Sequence, residues 1–176
     1  MLNKPSRVNR LMSTTENIPP PHLGALQFRR ALREDLDAIV TLLADDVLGN
    51  RREDATLPAR PCYVQAFEAI DRDPNQFLTV VSRGDEVVGC LQLSFIPGLS
   101  RQGLWRGQIE SVRIAASERG AGTGHALFEW AIGQCRERGC GLVQLTTDKT
   151  RSDAQRFYQS LGFTATHDGM KLELAP

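Results

Sequence analysis

Three glycines at alternate positions, Gly120, Gly122 and Gly124, lie between a strand-like segment and a long segment of helical period. Glycine lets the backbone turn tightly with its N–H groups exposed, and the first N–H groups of a helix have no partner within the helix. The helix dipole adds partial positive charge at the same place. The pattern therefore predicts a strand, a loop and a helix that together bind an anion, most naturally a phosphate.

The segments on either side of the glycines have different periods. Residues 109–114 alternate, with Val112 and Ile114 on one face, which predicts a short strand. After Gly124, apolar residues recur at helical spacing as far as Arg138, and Gly139 is suited to cap this helix. The glycines therefore connect a strand to a helix, and a plain turn becomes the weaker alternative.

Two familiar phosphate-binding patterns fit the loop poorly. A P-loop needs Gly-Lys-Ser/Thr, whereas Gly124 is followed by His125 and Ala126, which disfavours hydrolysis of a nucleoside triphosphate. A dinucleotide fingerprint counted from Gly120 has His125 in place of its third glycine, and too little chain follows for a doubly wound sheet. A nicotinamide-dinucleotide binder therefore stays only as a minor alternative.

The C-terminal part of the chain supplies a second pattern. Residues 142–146 are strand-like, and the next segment has Ala154, Phe157 and Tyr158 on one helical face before it ends at Gly162. A strand-like sequence then resumes. This half of the chain is thus predicted to run in the order strand, glycine loop, helix, strand, aromatic helix.

Taken together, these patterns resemble the GNAT superfamily of acyl-CoA-dependent N-acetyltransferases over about residues 26–174. The family's pyrophosphate-loop pattern is matched by Arg119, Gly122 and Gly124. Its later pattern is matched by Ala154, Phe157, Tyr158, Gly162 and Phe163. The chain departs from the family at one position, because an asparagine that often precedes the tyrosine by seven residues is Arg151 here.

The resemblance implies transfer of an acetyl group from acetyl-CoA to a primary amine by direct attack on the thioester. It implies that the backbone of Val112, Arg113 and Ile114 holds the pantetheine arm. It also implies a pyrophosphate site made of Arg119, Gly120, Ala121, Gly122, Thr123 and Gly124. The expected acceptor is a small-molecule amine or an amine of a protein or peptide, and no metal is expected.

Two residues are predicted to transfer protons. An alkyl ammonium has a pKa of about 10.4 and only the neutral amine is a nucleophile, so a base is needed. Glu110 precedes Arg119 by nine residues, which matches the position of the catalytic glutamate in the histone-acetylating branch of the superfamily that the chain resembles. Tyr158 matches the family position that donates a proton to the departing thiolate. The alternatives are a carboxylate paired with Arg106 or Arg113, and a buried aromatic with a locally bonded hydroxyl.

Strand-like and helical segments interleave along the chain. Strands are predicted at 26–29, at 76–83 and 86–95 as a hairpin, up to Ile114, at 142–146, and at 163–166 with 170–174 as a second hairpin. Helices are predicted at 34–43, at 61–70, after Gly124 and at 154–161. Because strands occur in antiparallel hairpins as well as around helices, the fold class is α+β: a mixed, mostly antiparallel sheet flanked by helices, as in GNAT-like proteins.

Composition bears on the number of domains, on the kinds of partner and on the state of the cysteines. A hydrophobic fraction of 41% in 176 residues is enough for one core, so residues 26–176 are predicted to form a single domain after a disordered extension at 1–25. Basic and acidic residues both number 21, which disfavours a nucleic-acid partner. No apolar run is long enough for a membrane span. Four scattered cysteines predict structural thiols in a reducing, cytoplasmic setting.

The sequence leaves the acceptor open. Acidic residues at 45, 46, 53 and 54 either bind a cationic amine or form solvated surface. Trp105 either lines an acceptor pocket, packs internally or contributes to a homodimer contact. A catalytically silent acyl-CoA sensor is the main alternative to an enzyme, because such a protein would keep the loop.

Overall fold

The computed structural model describes residues 25–45 and 49–174, which contain one five-stranded sheet with helices packed on it. The strands are β1 (Leu26–Arg30), β2 (Gln76–Arg83), β3 (Glu86–Ile96), β4 (Arg106–Ile114) and β5 (Leu142–Leu145). The helices are α1 (Leu36–Ala44), α2 (Pro61–Arg72), the single turn α3 (Ser100–Gly103), α4 (Thr123–Glu137) and α5 (Ser152–Ser160). Nearly all of the predicted N-terminal extension lies outside the described residues.

The strands follow one another across the sheet in the order β1-β2-β3-β4-β5. Neighbouring strands are antiparallel except β4 and β5, which are parallel and are joined through α4. The β2–β3 hairpin turns at Gly84, whose φ of +59° lies in the left-handed region. The mixed, mostly antiparallel α+β sheet predicted from the sequence is therefore confirmed.

The core has one layer on each face of the sheet, because successive side chains of a strand point to opposite faces. On one face, Leu91 and Leu93 of β3 pack with Leu127 and Phe128 of α4. On the other face, Cys90 packs in a second cluster that α1 and α2 complete. The sheet is thus the middle layer between α4 and the α1–α2 pair.

The predicted C-terminal hairpin is wrong, because residues 163–174 contain no strand. Phe163 instead caps the C-terminal end of α5, because its N–H donates to the Tyr158 carbonyl at 3.0 Å. Its ring centroid lies 6.1 Å from that of Phe128. Met170, Leu172 and Leu174 alternate as in a strand, yet they are 95%, 86% and 82% exposed. Alternation predicts a strand only where a neighbouring element buries one side of it.

Smaller differences concern element boundaries and side chains. The helix predicted from Glu34 begins with a 3-10 turn at Arg33–Asp35. All four cysteines are free thiols, and burial raises the pKa of Cys90 and of Cys135 to about 12, so both stay neutral. No described helix combines the length and apolar character needed to cross a membrane.

Candidate active site

The glycine loop connects β4 to α4, as the sequence predicted. A 3-10 turn at Ala116–Glu118 follows the strand, and α4 begins at Thr123. Gly120 and Gly122 have φ values of +81° and +84°, in the left-handed region where other residues are strained. Both glycines are therefore required by the backbone path of the loop.

The loop and the start of α4 present a row of backbone donors. Within the described residues, five N–H groups in this row donate no hydrogen bond: those of Gly120, Gly122, Thr123, Gly124 and His125. The N–H groups of Arg119 and Ala121 instead donate within the loop, to the carbonyls of Ala116 and Glu118. The sequence assigned Ala121 to the pyrophosphate site and overlooked His125. An anion at this position would meet donors at the positive end of the helix dipole.

A buried carboxylate lies beneath the loop. Glu118 is 4% exposed and accepts two hydrogen bonds from Arg83 of β2, Nε to Oε1 at 2.9 Å and Nη2 to Oε2 at 3.0 Å. The Thr123 hydroxyl donates to the same carboxylate at 2.6 Å. Thr123 thus turns its side chain into the protein, which leaves only its backbone for a ligand. The ion pair fixes the loop to β2 and to the first residue of α4.

The edge of β4 becomes open halfway along the strand. On one side, β4 pairs with β3 as far as Ile114, which lies opposite Gly89. On the other side, its parallel pairing with β5 ends where Ile109 lies opposite Leu145. No strand among the described residues pairs with residues 110–114 on that side. The predicted pantetheine-binding residues Val112, Arg113 and Ile114 all belong to this open edge.

Glu110 lies at the beginning of the open edge. It is opposite Gln92 of β3, and the next residue, Ser111, has a φ of +53° where the register of the two strands shifts. The Glu110 side chain is exposed, and it forms no ion pair with Arg106, Arg113 or any other described residue. The ion-paired alternative for this carboxylate is therefore absent from the described part of the chain.

Tyr158 belongs to an aromatic cluster between α4 and α5. Its ring centroid is 5.5 Å from that of Phe128 and 6.3 Å from that of Phe163. Its hydroxyl has no hydrogen-bond partner among the described residues. Burial raises the pKa of Tyr158 above its usual value, although Arg151 and Arg113 act in the opposite direction. The phenol is therefore held in place by packing and protonated at neutral pH.

The loop, the end of β4 and α5 meet at Gly124. A Cβ atom built on Gly124 would lie 3.6 Å from Cζ of Phe157 and 3.8 Å from Cγ1 of Ile114. Phe157 is the neighbour of Tyr158, and Ile114 is the last residue of the open edge. The structure thus brings the predicted phosphate loop, the predicted pantetheine strand and the predicted acid onto one side of the molecule.

The acidic residues considered for a cationic acceptor have partners within the chain. Asp45 pairs with Arg119 at 3.2 Å, and Asp54 pairs with Arg60 at 2.9 Å. Glu53 accepts a hydrogen bond from the Tyr63 hydroxyl at 2.9 Å. The remaining candidate, at position 46, lies outside the described residues.

Two further residues that the sequence singled out are Trp105 and Arg151. Trp105 packs against the α4-side core, which is the internal-packing alternative for this residue. Arg151, at the start of α5, is close enough to Tyr158 to lower its pKa.

Beside the loop, a groove of about 420 Å³ runs between α4 and α5 from His125 to Arg136. No group of three or more His, Cys, Asp or Glu side chains within the described ranges is arranged to bind a metal.

Comparison with known proteins assigns this architecture to a family. The model of the acetyltransferase (GNAT) family matches residues 42–163. The aminoalkylphosphonate N-acetyltransferase of Salmonella typhimurium is 29% identical over 157 residues, covering 89% of this chain and 94% of that protein. An acetyltransferase structure from Trypanosoma brucei is 28% identical with a TM-score of 0.70, covering 85% of this chain and all (100%) of that one.

A structure described as a transcriptional regulator from Bacillus halodurans is more similar still. It is 49% identical with a TM-score of 0.83, and the match covers 85% of this chain and 100% of that one. The family match spans the end of α1, the open edge of β4, the glycine loop and α5 through Phe163. The chain therefore belongs to the GNAT acetyltransferase family.

Proposed function

We propose that this protein transfers an acetyl group from acetyl-CoA to a small-molecule primary amine. The open edge of β4 carries the proposal, because it leads from the N–H donors at the start of α4 back to Glu110. An extended ligand can hydrogen-bond to an unpaired strand edge much as another strand would. Its phosphates would then lie at the helix start and its reactive end beside the carboxylate.

The residues present fit acetyl-CoA as a substrate. In this proposal the backbone of Val112, Arg113 and Ile114 holds the pantetheine arm, and the N–H groups that begin α4 hold the pyrophosphate. The Arg119 side chain is 58% exposed and forms an ion pair with Asp45. Because this pair lies at the surface, the guanidinium can bind a phosphate instead without leaving a buried charge unpaired. The groove that starts at His125 leaves room for the rest of the nucleotide.

Proton transfer is assigned to two side chains. Glu110 accepts a proton from the ammonium form of the amine, and the nitrogen then attacks the thioester carbonyl carbon. The nitrogen loses its second proton to solvent as the carbon–sulfur bond breaks. The Tyr158 hydroxyl donates its proton to the departing thiolate and is reprotonated from solvent. The products are an acetylated amine, a free thiol and one proton. Because both reactants are held in place, orientation supplies part of the rate enhancement.

The amine acceptor is supported by a relative whose described activity is N-acetylation of aminoalkylphosphonates. The test is incubation of the purified protein with acetyl-CoA and a panel of primary amines, with detection of free thiol and of acetylated product by mass spectrometry. We expect thiol release that depends on the amine. Tight CoA binding without thiol release over the whole panel would instead favour the silent sensor.

The chain is also similar to a structure described as a transcriptional regulator. The assay must therefore be able to detect a sensor, which would bind CoA without releasing thiol. A thermal-shift comparison of acetyl-CoA with NAD separates both proposals from the dinucleotide alternative. Stabilisation by acetyl-CoA alone supports the CoA site, because a ligand stabilises the folded state to which it binds. Stabilisation by NAD alone contradicts it.

A further inference from the structure

An apolar cavity lies between the helices and the sheet on the α1–α2 side of the molecule. Its volume is about 150 Å³. Ile39 and Leu43 of α1 and Phe67 of α2 form its walls, and Cys90 lies at its floor. Ala66 of α2 also contributes to the wall and is exposed, which places it at the mouth.

The lining of the cavity is mostly hydrocarbon, from side chains of α1, of α2 and of the sheet. A void lined by hydrocarbon offers too few polar partners to hold ordered water, and it favours an apolar guest instead. This cavity opens to the surface between α1 and α2, so a guest can reach it without unfolding either helix.

Two polar residues of the sheet line the cavity on the side of the proposed base. Gln92 and Ser111 line it, and Gln92 lies directly opposite Glu110 in the β3–β4 pairing. Residues opposite one another in an antiparallel pair project from the same face of the sheet. The Glu110 carboxylate therefore projects from the face on which the cavity lies.

Gln92 adds an acceptor at this end of the cavity. Its Nε2 donates to Oε1 of Gln76 at 3.0 Å, while its own Oε1 accepts no hydrogen bond from a described residue. An amine group at this end would meet the Gln92 carbonyl oxygen and the Glu110 carboxylate. A hydrocarbon group attached to that amine would extend between α1 and α2.

We propose that this cavity binds the apolar substituent of the acceptor, so that the substrate class is a primary amine on a compact hydrocarbon group. The inference rests on the proposed acetyl transfer and adds the chemistry of the acceptor. Each methylene group buried in an apolar site raises affinity by about fourfold. Selectivity should therefore increase along a series of alkylamines until the cavity is full.

The experiment measures kcat/KM with acetyl-CoA for ethylamine, butylamine, 2-phenylethylamine, ethanolamine and 2-aminoethylphosphonate. We expect about a fourfold gain per added methylene, and ethanolamine and the phosphonate to be the poorest acceptors. A preference for the phosphonate or ethanolamine would overturn the inference and leave acetyl transfer intact. A preference for butyryl-CoA over acetyl-CoA that Ala66→Leu abolishes would assign the cavity to the acyl group and also overturn it.

Two variants of α2 test the position of the site. Ala66→Leu extends a side chain over the mouth and should lower kcat/KM for 2-phenylethylamine at least tenfold. Ala69→Leu makes the same change at an exposed position outside the cavity and should leave kcat/KM unchanged. Equal effects of the two variants would overturn the inference.

Calorimetric titration of the CoA-loaded protein with 2-phenylethylamine separates the two proposals. Binding that Ala66→Leu weakens supports the cavity even if no amine is acetylated, and in that case acetyl transfer alone fails. Absence of binding overturns the assignment of the cavity, whatever the protein acetylates.

Discussion

Arg83 and Glu118 form a two-point ion pair beneath the glycine loop, with Nε–Oε1 at 2.9 Å and Nη2–Oε2 at 3.0 Å. The carboxylate also accepts from Thr123 at 2.6 Å, so one buried group connects β2, the loop and α4. The position of the glycine loop therefore depends on a residue pair outside the loop's own sequence motif.

Removal of the Glu118 charge should destabilise the protein and loosen the loop. Glu118→Gln eliminates the negative charge that balances Arg83, and loss of one partner of a buried pair costs about 3 kcal/mol. Urea denaturation measures this change in the free energy of unfolding. The control is Asp168→Asn in the exposed pair with Lys149, which should have little effect. Similar losses for the two variants would contradict the structural role of Glu118.

Substitution of Gly122 should separate cofactor binding from backbone strain. A Cβ atom at Gly122 would meet no protein atom within 4 Å, so it would project into the space assigned to the pyrophosphate. Gly139, at the other end of α4, has a similar φ of +74° and equally open surroundings. Both alanine variants should lose about 1–2 kcal/mol of stability, because both positions are left-handed.

Affinity for acetyl-CoA distinguishes the two glycine variants. Calorimetric titration should give at least a tenfold higher Kd for Gly122→Ala, while Gly139→Ala keeps the affinity of the unmodified chain. Retained affinity in Gly122→Ala would refute the assignment of the loop.

Replacement of Glu110 should remove general-base catalysis. Glu110→Gln is expected to lower kcat by about 100-fold or more and to leave the Kd for acetyl-CoA unchanged, since the open edge binds through its backbone. Glu137→Gln changes an exposed carboxylate at the end of α4 opposite to the loop and is the matched control. Unchanged turnover and an unchanged pH profile in Glu110→Gln would show that another group, or solvent, takes the proton.

Tyr158 should act as an acid up to high pH. Burial raises its pKa above the usual value of 10.0, so the phenol stays protonated, and its proton remains available, until the pH exceeds that value. The rate should therefore rise with pH as the amine loses its proton. At pH values below about 10, loss of the Tyr158 proton should cause no decline in the rate. Tyr158→Phe should lower kcat far more than affinity for acetyl-CoA. A loss confined to affinity would indicate that the ring serves only in packing.

The local parts of the fold could be predicted because their causes are local. Gly120 and Gly122 have left-handed φ values in the tight turn that the glycines predicted, and α4 begins at Thr123, close to its predicted start after Gly124. The β2–β3 hairpin likewise follows from two strand-like segments joined by a short turn at Gly84-Asp85. In both cases the residues that determine the backbone conformation are neighbours in the sequence, so a short sequence pattern is enough to predict it.

Contacts between distant segments could not be predicted in this way. Arg83 and Glu118 pair across 35 positions, and neither belongs to a motif. The opening between β4 and β5 depends on where their pairing ends, which a strand pattern does not reveal. The failed C-terminal hairpin has the same origin, because no described element buries one side of the alternating residues Met170, Leu172 and Leu174.

The stoichiometry of the reaction is the sharpest test of direct acetyl transfer from acetyl-CoA to an amine. Free thiol and acetylated amine are quantified in the same reaction with acetyl-CoA and the best acceptor of the panel, for the unmodified protein and for Glu110→Gln. Direct transfer predicts one thiol released per amine acetylated, with both rates reduced together in the variant. CoA binding with neither product, or thiol released without acetylated amine, would contradict direct transfer.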